Sequence, residues 1–127
     1  MSKFYQLDAN HKNIADHLRR FGVSVYEAAN VGKGVPDLII HKFETGFLEI
    51  KIEGSGASFK RPQIIFMSSY KFHIGIARTK EEALAFALDP RGKGLSQKVK
   101  DRLAGLLLRD SRKAFTANEI EKLIEGK

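Results

Sequence analysis

Three charged side chains lie close enough in the sequence to share one site. Asp37 follows a proline at the start of an apolar segment, and Glu49 and Lys51 stand two residues apart in the next one. Phosphodiester hydrolysis requires a divalent cation that polarises the phosphate and activates water, and hard cations take carboxylate and carbonyl oxygens as ligands. Asp37 and Glu49 could supply such oxygens, and the ammonium group of Lys51 could face the same phosphate.

The two apolar segments are predicted to form adjacent strands of a sheet. Residues 38–40 are a continuous apolar run, as expected of a central strand that is covered on both faces. Between residues 47 and 52 the even-numbered side chains are all apolar, so the period of two places Glu49 and Lys51 together on the opposite face. The carboxylate and the ammonium group are therefore expected to project in the same direction.

The position of Asp37 depends on the register of this hairpin, because a slip of one residue moves a side chain to the other face. We predict a three-residue loop at residues 44–46, whose last residue is a glycine suited to a left-handed conformation. This register pairs His41 with Glu49 and, when extended, places Asp37 on the same face. A two-residue loop would give the opposite parity unless the chain bends at Pro36, so we predict the odd loop or that bend.

The spacing of apolar and capping residues predicts the remaining elements. In chain order these are a helix between Asn10 and Gly22, a strand near residues 23–26, a helix from Pro62 to about Tyr70, a strand at residues 72–77, a helix capped by Thr79 and Glu82, and two more helices near residues 99–107 and from Thr116. Glycines make residues 32–34 and 54–58 predicted loops. The predicted fold class is α/β, with a core at residues 1–90 and a basic helical C-terminal extension at residues 91–127.

Composition limits the classes of function. The 127 residues, 43% of them hydrophobic, suffice for one compact domain. A net charge of +7 favours nucleic acid as a partner, although a basic surface that only aids solubility has the same composition. The absence of cysteine excludes disulfides, thiol nucleophiles and cysteine-based zinc sites. Because we find neither an apolar signal segment nor a run of membrane-spanning length, we expect a cytoplasmic protein without membrane contact.

Two further classes of enzyme lack their motifs in this sequence. Ser68 and Ser69 do not stand in a Gly-x-Ser-x-Gly frame, and Gly32 and Gly34 lack the rest of a phosphate-binding loop. Serine hydrolase and nucleotide-binding functions are therefore excluded. The histidines at positions 17, 41 and 73 have no paired ligand spacing, so we interpret them as structural.

The stretches Gly34-Val35-Pro36-Asp37-Leu38 and Phe47-Leu48-Glu49-Ile50-Lys51 together resemble the PD-(D/E)XK nuclease superfamily. Within it they are most similar to the VRR-NUC and archaeal Holliday-junction-resolvase-like branches, and the likeness covers roughly residues 10–88. The resemblance implies a restriction-endonuclease-like core and an endonuclease that cuts DNA, branched or junction DNA in particular. Mg²⁺ or Mn²⁺ is the implied cofactor, and small members of these branches often act as homodimers.

The resemblance also implies roles for individual residues. Asp37, Glu49 and the main-chain carbonyl of Ile50 would hold the metal, and Lys51 would orient the attacking water or stabilise the charged transition state. Gln63 matches a glutamine that VRR-NUC proteins often carry near the start of the following helix, and as a catalytic residue it would orient the lysine, water or phosphate. Related nucleases often carry a glutamate on the first helix, whereas here His11 is the nearest positional match, so an imidazole would replace that carboxylate or leave its place to water.

Several basic residues are candidates for contact with a nucleic-acid backbone. They are Lys33 in the glycine loop, Lys60 and Arg61 before Gln63, and Lys98 and Arg102 within a wider C-terminal basic set that includes Lys100. A solvated basic helix face explains the C-terminal set nearly as well. The apolar stripe formed by Leu103, Leu106 and Leu107 could dock on the core or on a second subunit.

Three functions are therefore carried forward. The first is the metal-dependent, structure-specific endonuclease. The second is a nucleic-acid-binding module of the same fold that has lost catalysis with the helix acid. The third is a nicking component of a repair or recombination assembly, docked through its C-terminal helices.

Overall fold

The computed structural model describes residues 3–51 and 58–126, with side chains from residue 11 onward in the first range. The helices are α1 (Lys3–Arg20), α2 (Arg61–Ser69), α3 (Lys80–Leu88), α4 (Pro90–Lys93), α5 (Gln97–Arg109) and α6 (Ala117–Glu125). The strands are β1 (Ser24–Glu27), β2 (Leu38–His41), β3 (Thr45–Ile50), β4 (Ser58–Lys60), β5 (His73–Ala77) and β6 (Ala114–Thr116). None of the helices in these two ranges is long and apolar enough to cross a membrane.

The central sheet has four strands in the order β1-β2-β3-β5. The pairs β1-β2 and β2-β3 are antiparallel, whereas β3 and β5 are parallel, so the sheet is mixed. On one face, α1 and α3 cover Leu38 and Ile40 of β2 and the even-numbered side chains of β3. The prediction of an α/β fold with a mixed sheet between helices is confirmed.

The other face of the sheet is covered by α2, α5 and α6 together with a small second sheet. This sheet pairs β4 with β6, and Phe59 lies opposite Phe115, each only 1% exposed. Leu103 is buried in the same cluster, so the apolar stripe of α5 docks on its own chain. The C-terminal part is thus not purely helical as predicted, because β6 completes a strand pair with residues 58–60. A domain division at residue 90 stays a prediction.

The first helix begins earlier than predicted. It starts at Lys3, so Asn10 lies inside it and is not its N-cap. In the sequence, Phe4 lies three residues before Leu7, and Leu7 lies seven residues before Ile14. These helical spacings are the pattern that indicates the earlier start. The end at Gly22, which has a positive φ of 79°, agrees with the prediction. The loop predicted at residues 54–58 lies outside the described residues except for Ser58, which begins β4.

The hairpin between β2 and β3 has an odd loop, as predicted, but not at the predicted place. Leu38 pairs with Leu48 and His41 with Thr45, so residues 42–44 form the loop and the register differs by four residues from the prediction. Gly46 lies in the strand because the ring of Phe86 packs over it, so close that a Cβ would come within 2.7 Å of two ring atoms. Because side chains alternate with a period of two, a shift of four residues leaves Asp37 on the same face as Glu49, as predicted.

Candidate metal and phosphate site

Asp37 lies just before β2 and completes the end of the ladder between β2 and β3. Continuing the observed register places it opposite Glu49. Its Oδ2 accepts a hydrogen bond of 2.8 Å from the main-chain N–H of Ile50, which has no strand partner on that side because β2 begins at Leu38. The N–H and C=O of a strand residue point to the same side, so the Ile50 carbonyl lies on the same side of β3 as Asp37. The structure thus brings two of the predicted ligands together.

Glu49 is the most deeply buried carboxylate among the described residues, at 2% exposure. Gln63 Nε2 donates a 2.6 Å hydrogen bond to Glu49 Oε2, and Lys51 Nζ lies 3.2 Å from the same oxygen. The other oxygen, Oε1, is buried without a hydrogen-bond partner. Burial, together with the negative charge of Asp37, raises the pKa of Glu49 to about 8 although Lys51 opposes the change.

Gln63 holds Glu49 from the first turn of α2. Its Oε1 accepts a 2.8 Å hydrogen bond from the main-chain N–H of Lys60, so the amide is oriented with its nitrogen towards the carboxylate. Pro62 sits beside it in the first turn, where the absence of an N–H costs nothing. The glutamine therefore binds the predicted site through Glu49, as a positioning residue.

Lys51 follows the end of β3 and its ammonium group has three neighbours. It donates a 2.8 Å hydrogen bond to the carbonyl oxygen of Ser58, lies near Glu49, and stands 4.7 Å from the centroid of the Phe59 ring. Its main-chain N–H donates to Ala77 of β5. These contacts hold the cation at the mouth of the site, with 15% of its side chain exposed.

The donor set fits a divalent cation held by two carboxylates. His11 Nε2 is 3.9 Å from Asp37 Oδ2, so the first helix does bring an imidazole to the predicted place. Within residues 3–51 and 58–126, however, no three His, Asp or Glu side chains are gathered closely enough to hold a metal. A cation beside Asp37 would supply the missing partner of the buried Glu49 Oε1. The Ile50 carbonyl and water would complete its shell.

Two of the predicted nucleic-acid contacts, and a third cation of the wider set, instead bind main-chain carbonyls at helix ends. Arg61 donates to the carbonyls of Leu107 in the last turn of α5 and of Asp110 and Arg112 after it, at 2.7–3.1 Å. Arg102 donates to Leu123 near the end of α6, and Lys100 to Tyr70 and Phe72 beyond α2. Burial lowers the pKa of Lys100. Each of these cations therefore binds carbonyls in the last turn of a helix or just after it, where the helix leaves carbonyl groups without partners of its own.

The other three predicted contacts are exposed. Lys33 has a φ of 57° and stands between two glycines that also have positive φ. A Cβ on Gly34 would overlap the carbonyl of Pro62, so this loop packs directly against the start of α2. Lys60 flanks the same helix start, whereas Lys98 lies on α5. Lys33 and Lys60 therefore surround the turn that carries Gln63.

Sequence reasoning missed the support under Lys51. Phe59 and the Ser58 carbonyl belong to β4, whereas the sequence predicts a loop that ends at Ser58 and no strand there. The alternation of Ser58, Phe59 and Lys60, with one buried aromatic between two exposed polar residues, is the signal that could have revealed a strand. Its partner β6 is 56 residues later in the chain, and no local pattern identifies it.

The buried state of Glu49 leads to a pH prediction for stability without metal. Between pH 4.5 and about 8 the unfolded chain releases the proton of Glu49 whereas the folded chain keeps it. Protonated Glu49 therefore stabilises the fold fully below pH 4.5, and this contribution declines as the pH rises towards 8. At about 1.4 kcal/mol per pKa unit, the decline amounts to a few kcal/mol.

The measurement is the free energy of unfolding by urea at pH 5 and pH 8, in EDTA, for wild type and Glu49→Gln. Subtracting the two profiles cancels the other titrating groups. Wild type should lose stability relative to the variant as the pH rises. Parallel profiles would show that Glu49 ionises normally in the folded protein.

No protein-family model matches this chain. No curated protein and no solved structure matches it either.

Proposed function

We propose that this chain is a metal-dependent endonuclease that hydrolyses DNA phosphodiester bonds, with a restriction-endonuclease-like core of the PD-(D/E)XK kind. The observation that carries the proposal is the carboxylate of Glu49. One of its oxygens is held by Gln63 and Lys51, and the other is buried without a partner. The negative charge of Asp37 acts on the same carboxylate. An unpaired buried carboxylate oxygen is costly for a fold, and a bound cation removes that cost.

Asp37, Glu49 and the Ile50 carbonyl would hold Mg²⁺ or Mn²⁺, which when bound supplies Lewis-acid polarisation of the phosphate and lowers the pKa of water. The chain's own residues do the rest. Gln63 fixes the plane of the Glu49 carboxylate. Lys51, held by Ser58 and Phe59, presents a positive charge where the phosphate oxygens gain negative charge in the transition state.

DNA is the proposed polymer, and branched DNA the proposed form. The net charge of +7 supports a polyanionic partner, and Lys33 and Lys60 are exposed next to the turn that carries Gln63. The preference for branched DNA and a homodimeric state rest on the resemblance of the two motifs alone.

One observation favours a second function. With His11 in place of a first-helix acid, the described residues hold two carboxylates rather than three. A module that binds nucleic acid through the same fold without cutting it would have this incomplete shell. The nicking component of a larger assembly differs from the first proposal only in its partners.

The test is cleavage by the purified chain of supercoiled plasmid, linear duplex and a four-way junction, with Mg²⁺, Mn²⁺ or EDTA. Cleavage that requires the metal and disappears in Asp37→Ala supports the nuclease. Salt-dependent binding without cleavage at any metal concentration supports the binding module. Cleavage that persists in Asp37→Ala would place the activity elsewhere.

A further inference from the structure

A cavity of about 450 Å³ opens beside Lys51, at the carboxyl ends of β3 and β5. Its partly exposed apolar lining consists of Ile76 of β5, Leu95 before α5 and Ile124 of α6, and Phe59 and Val99 lie buried behind it. This volume lies within the range of roughly 300–1,000 Å³ that is typical of sites for small organic molecules. The cavity is therefore large enough for one nucleotide.

The cavity is continuous with the candidate site. Lys51 lines both, and Ile76 in the cavity wall lies opposite Glu49 in the parallel register of β3 and β5. Neighbouring residues in such a register project to the same face of the sheet. If Lys51 held a phosphate of a DNA strand, the neighbouring nucleotide of that DNA strand would lie at the cavity.

Charged side chains of both signs line the opening. Lys51, Arg78 and Lys93 lie there with Glu82, Glu121 and Glu125, and Arg78 forms an ion pair with Glu121 of α6. Helix α6 walls the cavity on one side through Glu121 and Ile124. A single base that has left its stack can enter, because an apolar lining replaces part of the stacking that it loses.

We propose that this cavity receives one unpaired nucleotide adjacent to the phosphate that is cut. The inference rests on the proposed nuclease function and specifies its substrate: a strand with an unpaired nucleotide beside the scissile bond, as at a branch, a flap or a gap. Leu95 and Ile124 contact the base, and Lys93 contacts the backbone.

The proposal that the cavity receives an unpaired nucleotide is tested by cleavage of two duplexes that differ only by one unpaired nucleotide. Wild type should prefer the unpaired substrate by at least about tenfold, the discrimination that a single apolar pocket gives. Ile124→Trp fills the cavity and should remove the preference while plain duplex is still cut. The matched control is Leu108→Trp on α5, where the side chain is 90% exposed and lies outside the cavity. Equal cleavage of both duplexes by wild type, or an unchanged preference in Ile124→Trp, would overturn the inference.

A binding measurement separates this inference from the proposed function. Oligonucleotides with 2-aminopurine at the unpaired position are titrated with wild-type protein in EDTA, and its fluorescence reports entry into the cavity. A saturable change that is lost in Ile124→Trp and weakened about tenfold in Lys93→Glu supports the cavity, whether or not the chain cuts. Lys93 is exposed, so its substitution leaves the fold intact. No change in fluorescence with wild type contradicts the cavity even if cleavage occurs.

Discussion

Replacing Glu49 by glutamine should lower metal-dependent cleavage by about a thousandfold or more, the loss typical of removing a principal electrostatic group from an active site. Glutamine preserves the shape of the side chain and can still accept a hydrogen bond from Gln63. It cannot become the negatively charged ligand that would hold the cation. The measurement is the initial rate of plasmid nicking at saturating Mg²⁺.

The matched control is Glu44→Gln in the hairpin loop. Glu44 pairs with Arg91 at 2.7 Å, at the opposite end of the hairpin from Asp37 and Glu49, and is half-exposed. Its substitution should leave cleavage unchanged. Glu49→Gln should also fold, since it removes a buried carboxylate whose Oε1 has no partner. If a folded Glu49→Gln protein cut DNA at the rate of the control, Glu49 would have no part in the chemistry.

Replacing Phe115 by alanine should reduce the free energy of unfolding by about 3–5 kcal/mol, the usual cost of deleting a fully buried aromatic ring. Phe115 lies opposite Phe59 in the small sheet and belongs to a cluster that joins α2, α5 and α6. The loss should appear in urea unfolding as a lower midpoint. Since Phe59 lies beneath Lys51, cleavage should weaken as well.

Leu108→Ala is the control for this prediction, because Leu108 is 90% exposed on α5. Its effect should stay within about 0.5 kcal/mol. A single unfolding transition that moves as a whole in Phe115→Ala would show that residues after position 90 fold together with the central sheet. A small effect of Phe115→Ala would mean that the C-terminal segment is only loosely attached.

Much of the fold follows from local patterns in this sequence. The helices with Thr79 and Thr116 as N-caps begin where predicted, and each threonine accepts a hydrogen bond from the N–H three residues later. Capping depends on a few neighbouring residues, so it can be read without tertiary information. The start of α1 was placed too late because Asn10 has the chemistry of a cap but not its position.

In the candidate site too, some features follow from local sequence patterns and others depend on the tertiary structure. The shared face of Glu49 and Lys51 is a local property of any strand. The contact between Gln63 and Glu49 joins residues on different elements. The resemblance of the motifs implied a role for Gln63 in the site, but with the lysine, water or phosphate and not with Glu49. The Ser58 carbonyl and the Phe59 ring under Lys51 depend on a strand pair between residues 56 positions apart, which no local pattern reveals.

The sequence by itself determined that Asp37, Glu49 and Lys51 would share a face, because side-chain alternation and an odd loop are local and insensitive to an even shift in register. Tertiary structure alone decided the register, in which Gly46 of β3 lies beneath the ring of Phe86 from α3. It also decided which cations are available. Arg61 and Arg102 were candidate phosphate contacts, but helix ends that no sequence pattern brought near them supply carbonyls that they bind instead.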